Sequence, residues 1–159
     1  MEYSYHDEID MMLPITWILE DQLAQGQMIS SQNDIDSLRA RGISVIINLR
    51  QSNYDEMYNL DGIELHHLPI ADFSTPTAAQ ARQFIDIVNS HLNDQDKIYV
   101  HCTAGCGRSG TMVALYLCSM GKFDTPAEAI SYLRELRPCA IETEEQENFV
   151  LKIGLKLIS

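Results

Sequence analysis

Residues 97 to 119, KIYVHCTAGCGRSGTMVALYLCS, limit the fold more than any other stretch of the chain. KIYVHC (97 to 102) is a short apolar run rich in β-branched residues, the pattern of a strand buried in a central sheet. TMVALYLCSM (111 to 120) is apolar all round, as a helix packed on more than one side must be. TAGCGRS therefore reads as a loop from a buried strand into a helix N-terminus. There the first turn offers unpaired N–H groups and the positive end of the helix dipole, and Gly105 and Gly107 let the backbone curl so that several N–H groups converge. Such a nest holds an anion.

The side chains in the loop suit a tetrahedral oxyanion. Cys102 stands at the mouth of the nest, where the helix dipole favours the thiolate, a nucleophile at neutral pH. Arg108 is the only fixed cation of the loop, and its planar fork matches two oxygens of a phosphate. Ser109 is placed to donate a hydrogen bond to the sulfur. His101, directly before the nucleophile, reads as a brace rather than a base. Other readings of the stretch fit less well. A zinc site needs four well-spaced ligands, Cys102 and Cys106 find no second close pair, and His66 and His67 on a strand point to opposite faces. A thioredoxin motif has two residues between its cysteines, not three, and a Walker loop needs a lysine that is absent.

Elsewhere the punctuation alternates strands and helices. SVIINL (44 to 49) and IELHHLPI (63 to 70) read as strands, and WILEDQLAQGQM (17 to 28) supplies one or two more. Ser31 with Asp34 caps a helix that stops at Gly42. Thr75-Pro76 opens one with Ala81, Phe84, Ile85, Val88 and Leu92 on a single face. Thr125, Pro126 and Glu128 open another, bearing Ala129, Ile130, Leu133 and Leu136, and Thr143 with Gln146 caps the last, bearing Phe149, Val150, Ile153 and Leu157. The fold class is α/β: a central mixed β-sheet flanked by helices, with the phosphate-binding loop between a buried strand and a helix. At 159 residues the chain makes one sizeable core. An acidic N-terminal extension over residues 1–15 and a single domain over 16–159 are expected.

Charge and cysteine content narrow the setting. The net charge of -12 repels nucleic acid and anionic membranes, so neither is expected as a partner, and a monomer is expected. The first residues, MEYSYHDEIDMML, lack a secretory pattern and no stretch reaches transmembrane length, which places the protein in the cytoplasm. Four cysteines are too few for a disulfide scaffold, so Cys118 and Cys139 read as core or near-core thiols. Cys106 reads as a small loop residue, or alternatively as a thiol that traps oxidised Cys102 as a disulfide.

His101-Cys102-Thr103-Ala104-Gly105-Cys106-Gly107-Arg108-Ser109-Gly110 resembles the HCxxGxxR[ST]G signature of the cysteine-dependent protein tyrosine and dual-specificity phosphatases. RPCAIETEEQENFV (137 to 150) and LAQGQMISSQNDIDSLRARGISVIINLR (23 to 50) resemble the closing and opening halves of the small atypical dual-specificity group. The resemblance implies Cys102 as nucleophile, Thr103, Ala104, Gly105, Cys106, Gly107 and Arg108 as the phosphate cradle, and a general acid on a separate loop. Asp72 in LPIADFSTP fills that place, with Asp55, Asp61 and Asp86 in less suitable contexts. It also implies supporting positions: Gln146 to place the hydrolytic water, unless its capping box is its whole role, and Glu142 to brace the loop, unless it lies on the surface. No metal or cofactor is expected. The active site would take a phosphorylated protein or peptide, with phosphate, vanadate or sulfate as simple anions. Thr103, Ala104 and Cys106 stand where phosphoinositide phosphatases of the superfamily often carry lysines, which argues against lipid and inositol substrates. The alternatives are a non-catalytic phosphopeptide-binding module and an RNA 5'-phosphatase or other phosphomonoesterase.

Overall fold

The computed structural model describes residues 12–158; the expected extension lies mostly outside them. Five strands form one sheet: β1 (Ile15–Leu19), β2 (Leu23–Gly26), β3 (Ile43–Asn48), β4 (Glu64–His67) and β5 (Lys97–His101). Their order is β1-β2-β5-β3-β4, with β1 antiparallel to β2 and the other pairings parallel. β5 is thus central, which is why its side chains are apolar on both faces. Ile98 and Val100 enter one core, and Tyr99 enters the other.

The helices are α1 (Gln32–Ala40), α2 (Ala78–Asn93), α3 (Gly107–Ser119), α4 (Pro126–Leu136) and α5 (Glu144–Ile158). α1 covers one face through Ile35 and Leu38, while α2 to α5 supply the larger core on the other face. α3 is buried on all sides from Gly107 to Cys118, as its uniform apolarity demands. Burial pushes the Cys118 thiol up to about 11, so it stays protonated at neutral pH.

The helix ends follow local chemistry. Ser31 accepts from Asp34 N–H and Thr125 accepts from Glu128 N–H. Thr143 and Gln146 form a reciprocal capping box. One start differs from the sequence reading. α2 is capped by Thr77 and Gln80 rather than opened by Thr75-Pro76, because Thr77 accepts from Gln80 N–H while Gln80 Oε1 accepts from Thr77 N–H. β4 is also shorter than the expected 63 to 70, since the chain turns off the sheet after His67 to reach the loop that carries Asp72. At the other end the fold begins slightly earlier than residue 16: Leu13 is buried in the core under α1.

β2, β3, β4 and β5 are mutually parallel, so their C-terminal ends face one edge of the sheet. Four loops meet there, beginning after Gly26, Asn48, His67 and His101. Sites in sheets of this kind form at that edge.

Candidate active site

The chain leaves β5 at His101 and enters α3 at Gly107, and five residues make the turn between them. His101 is fully buried. Burial drives its imidazole down to about 4, so it is neutral at pH 7. Nδ1 lies 3.0 Å from the Cys102 carbonyl and Nε2 lies 2.6 Å from the Tyr54 hydroxyl. A carbonyl only accepts, so Nδ1 carries the proton and Tyr54 donates to Nε2. Burial raises the Tyr54 phenol as well, keeping that donor protonated. His101 is a brace for the strand end, with both ring nitrogens engaged.

The loop carbonyls are pulled outward by donors from neighbouring segments. Thr103 O accepts from Met28 N–H at 2.8 Å, and Ala104 O accepts from Arg137 Nη2 at 3.1 Å. Gly105 O accepts from Gln25 Nε2 at 3.0 Å and from Arg137 Nε. Cys106 O accepts from Ile141 N–H at 3.0 Å. In a planar trans peptide the following N–H points the opposite way, so Ala104, Gly105 and Cys106 turn their N–H groups to the inside of the loop. Gly105 has φ +75°, and a Cβ there would lie 2.3 Å from the Gly26 carbonyl, so the turn admits only glycine.

Cys102 is 2% exposed, with Sγ 3.4 Å from Ser109 Oγ. Ser109 Oγ accepts from Gln25 Nε2 at 3.0 Å, which leaves its own proton for the sulfur. Arg108 is 4% exposed: Nη1 donates to Ile70 O at 2.9 Å and Nη2 to Thr103 Oγ1 at 3.0 Å. Its Nε is buried with no hydrogen-bond partner in the protein. Arg50 donates to the same Thr103 hydroxyl at 3.2 Å, adding a third guanidinium, after Arg108 and Arg137, at the loop of an otherwise acidic chain. Asp72 is brought to Arg108, with Oδ1 3.4 Å from Nη2. It is half exposed on a turn where Phe73 has φ +62°, and Asp72 Oδ1 accepts from Phe73 N–H.

The two supporting residues lie beside the loop. Glu142 Oε1 accepts from Gly107 N–H at 2.9 Å, holding the first residue of α3. Gln146 is fully buried; its Oε1 accepts from Glu142 and Thr143 N–H, and its Nε2 donates to Ser74 O at 3.2 Å. The capping box is therefore real, and the same side chain also ties the Asp72 loop to α5. Asp55, Asp61 and Asp86 form no ion pair with Arg108, unlike Asp72.

The expectation for two cysteines is corrected. Cys139 is not a free core thiol and Cys106 is not paired with Cys102: Cys106 and Cys139 form a disulfide, with Cα atoms 5.2 Å apart. Their segments are already adjacent, since Arg137 and Ile141 hold the loop carbonyls on either side. In the chain-entropy account, a link across 33 residues stabilises by about 4 kcal/mol. Reduction is expected to lower the melting temperature by about 8 °C or more. Cys139→Ser should melt at the reduced value and ignore reductant; a wild-type melting curve indifferent to reductant would contradict the pairing.

Three residues of this site were not singled out from the sequence. Gln25, Arg137 and Arg50 act on the loop from elsewhere in the chain, and the only local signal was a polar Gln25 inside the short strand LAQG.

Comparison with known proteins agrees with this architecture. The family described as "PTP-SAK: Swiss Army Knife protein, DSP-PTPase phosphatase domain" matches residues 14–150. The chain belongs to this dual-specificity phosphatase family. It is 36% identical over 124 residues to human dual specificity protein phosphatase CDC14C, covering 77% of this chain and 27% of that protein. Human cyclin-dependent kinase inhibitor 3 is 32% identical over 136 residues, with 79% and 64% covered. The chain thus spans between about a quarter and two thirds of the length of these curated relatives. The crystal structure of Tk-PTP in the active form superposes with a TM-score of 0.75 at 30% identity, covering 91% of this chain and 95% of that one. Among the described residues, no helix is long and apolar enough to cross a membrane.

Proposed function

We propose that the chain is a protein phosphatase that hydrolyses phosphotyrosine, and phosphoserine or phosphothreonine as well, through a cysteinyl-phosphate intermediate. The observation that carries the proposal is the meeting of Cys102, Arg108 and Asp72 from two separate loops, with one buried N–H of Arg108 left unpartnered beside the sulfur's loop. In the first step Cys102 attacks phosphorus in line, the P–O bond to the leaving group breaks, and Asp72 gives that oxygen a proton. In the second, Asp72 takes a proton from water, water attacks phosphorus, the S–P bond breaks, and Ser109 stabilises the departing sulfur. Arg108 and the inward N–H groups of Ala104, Gly105 and Cys106 hold the equatorial oxygens in both steps.

Glu142 supports the reaction by fixing the start of α3, and Gln146 by fixing the Asp72 loop and lying near the attacking water. The catalytic unit is a single domain that begins near Leu13, slightly before the expected residue 16, and works as a monomer, without a cofactor. Its partners are phosphorylated proteins or peptides, not nucleic acid or membranes. For location we keep the cytoplasm, where the Cys106–Cys139 pair would cycle between dithiol and disulfide.

Asp72→Asn separates a general acid from a surface carboxylate. Loss of the acid is expected to lower kcat on a phosphotyrosine peptide by about 10²- to 10³-fold. The loss on p-nitrophenyl phosphate should be smaller, because its more acidic phenol leaves with less help. Equal losses on both substrates would remove Asp72 from this role. Wild-type turnover should persist in EDTA and stop with vanadate, and dependence on added metal would overturn the mechanism.

A further inference from the structure

We propose that Glu64, His66 and His91 form a binding site for a divalent transition metal ion of the zinc type, at the opposite end of β4 from the Asp72 loop. Glu64 and His66 are two apart on β4, so they share the face that looks toward α2. His67 faces the other way and lies 2.6 Å from Arg50 O. His91 comes from the last turn of α2. Three ligand atoms converge: His91 Nε2 lies 3.1 Å from His66 Nε2 and 2.8 Å from Glu64 Oε2, and His66 Nε2 lies 3.5 Å from Glu64 Oε2. Ligands at 2.0–2.1 Å from a tetrahedral zinc are separated by about 3.3 Å, so these atoms form one face of such a tetrahedron.

The surroundings prepare the donors. His91 Nδ1 lies 2.8 Å from Asp96 Oδ2, so it carries a proton and leaves a lone pair on Nε2. Asp96 is in turn held by Ser44 Oγ at 3.3 Å. A carboxylate behind a histidine, with the other ring nitrogen aimed at a shared point, is the usual outer shell of a zinc ligand. With lone pairs on both Nε2 atoms, these two nitrogens and the carboxylate oxygen repel one another unless a cation lies among them; otherwise His66 must place a proton on Nε2. A single N–H on one of the two Nε2 atoms serves only part of this cluster, whereas a metal ion uses all three ligand atoms. The histidines are largely shielded and Glu64 is open, which leaves the fourth position to water. Bound metal would fasten β4, an edge strand only four residues long, to α2.

The test titrates zinc chloride, and separately cobalt chloride, into the wild type and into Cys102→Ser, which removes the active-site sulfur as a competing zinc ligand. The expected result is one ion per chain in both, the visible absorption of tetrahedral cobalt, and a melting temperature raised by about 5 °C or more at a hundredfold excess over Kd. His91→Ala and His66→Ala should weaken binding about a hundredfold or more, and Asp96→Asn by about 10- to 100-fold. His67→Ala should leave affinity within about twofold. No binding by wild type, or binding undiminished in His91→Ala, overturns the site and leaves Glu64, His66 and His91 as a hydrogen-bonded cluster only. Neither outcome bears on the phosphatase reading.

Discussion

Cys102→Ser is expected to lower turnover of p-nitrophenyl phosphate by about ten-thousandfold or more, while phosphate and tungstate still bind. The reason lies in how the loop divides its work. Anion binding rests on N–H groups turned inward by Met28, Arg137 and Gln25, and on Arg108. None of these depends on sulfur. Bond making does, because a serine hydroxyl at neutral pH is a far weaker nucleophile than a thiolate, and no base is placed to activate it. His101 directly precedes the nucleophile, yet both its nitrogens are taken by the Cys102 carbonyl and Tyr54. Steady-state kinetics with isothermal titration of phosphate measures both halves. Turnover within tenfold of wild type would mean that another group, or a metal-bound water, attacks phosphorus.

Arg108→Lys should lower kcat/KM by about a thousandfold, although the charge is kept. The guanidinium's three nitrogens have separate duties: Nη1 holds Ile70 O, Nη2 holds Thr103 Oγ1 and faces Asp72, and Nε is left for a ligand. Lysine offers one point of charge and cannot fill these positions together. It would leave the Ile70 carbonyl unpaired next to Asp72, so the acid loop would loosen along with the oxyanion clamp. The expected signature is a fall in kcat together with weaker phosphate binding. A lysine variant within tenfold of wild type would show that charge alone, not the fork, is what the loop requires.

The parts of this site that were legible in the sequence are those whose partners lie close along the chain. Cys102, Arg108 and Ser109 fall within one loop between a strand and a helix, and the Thr143–Gln146 box is complete within four residues. The Thr77–Gln80 box is equally local, but Pro76 after Thr75 places the expected helix start two residues too early. What could not be read locally depends on the order of strands. β2 lies beside β5 in the sheet, so Gln25 reaches Gly105 and Ser109 across 80 and 84 residues, and nothing near Gln25 announces it. The same holds for cysteine pairing. Cys106 is four residues from Cys102, which suggested a partner, but the chain after α4 returns Cys139 to the loop and the bond forms there. His91 meets His66 only because the last turn of α2 comes to lie beside β4, so a ligand search by sequence spacing passes over it.

The central claim is that Cys102 Sγ itself carries the phosphoryl group between the two half-reactions. Acid-quenching the enzyme within its first turnover of a phosphotyrosine peptide, followed by peptide mass mapping, tests this directly. A phosphate adduct on Cys102, formed at the rate of phenol release and increased when the second step is slowed in Asp72→Asn, is the predicted result. Turnover at full rate with no adduct on Cys102, or with phosphate on another residue, would contradict the account.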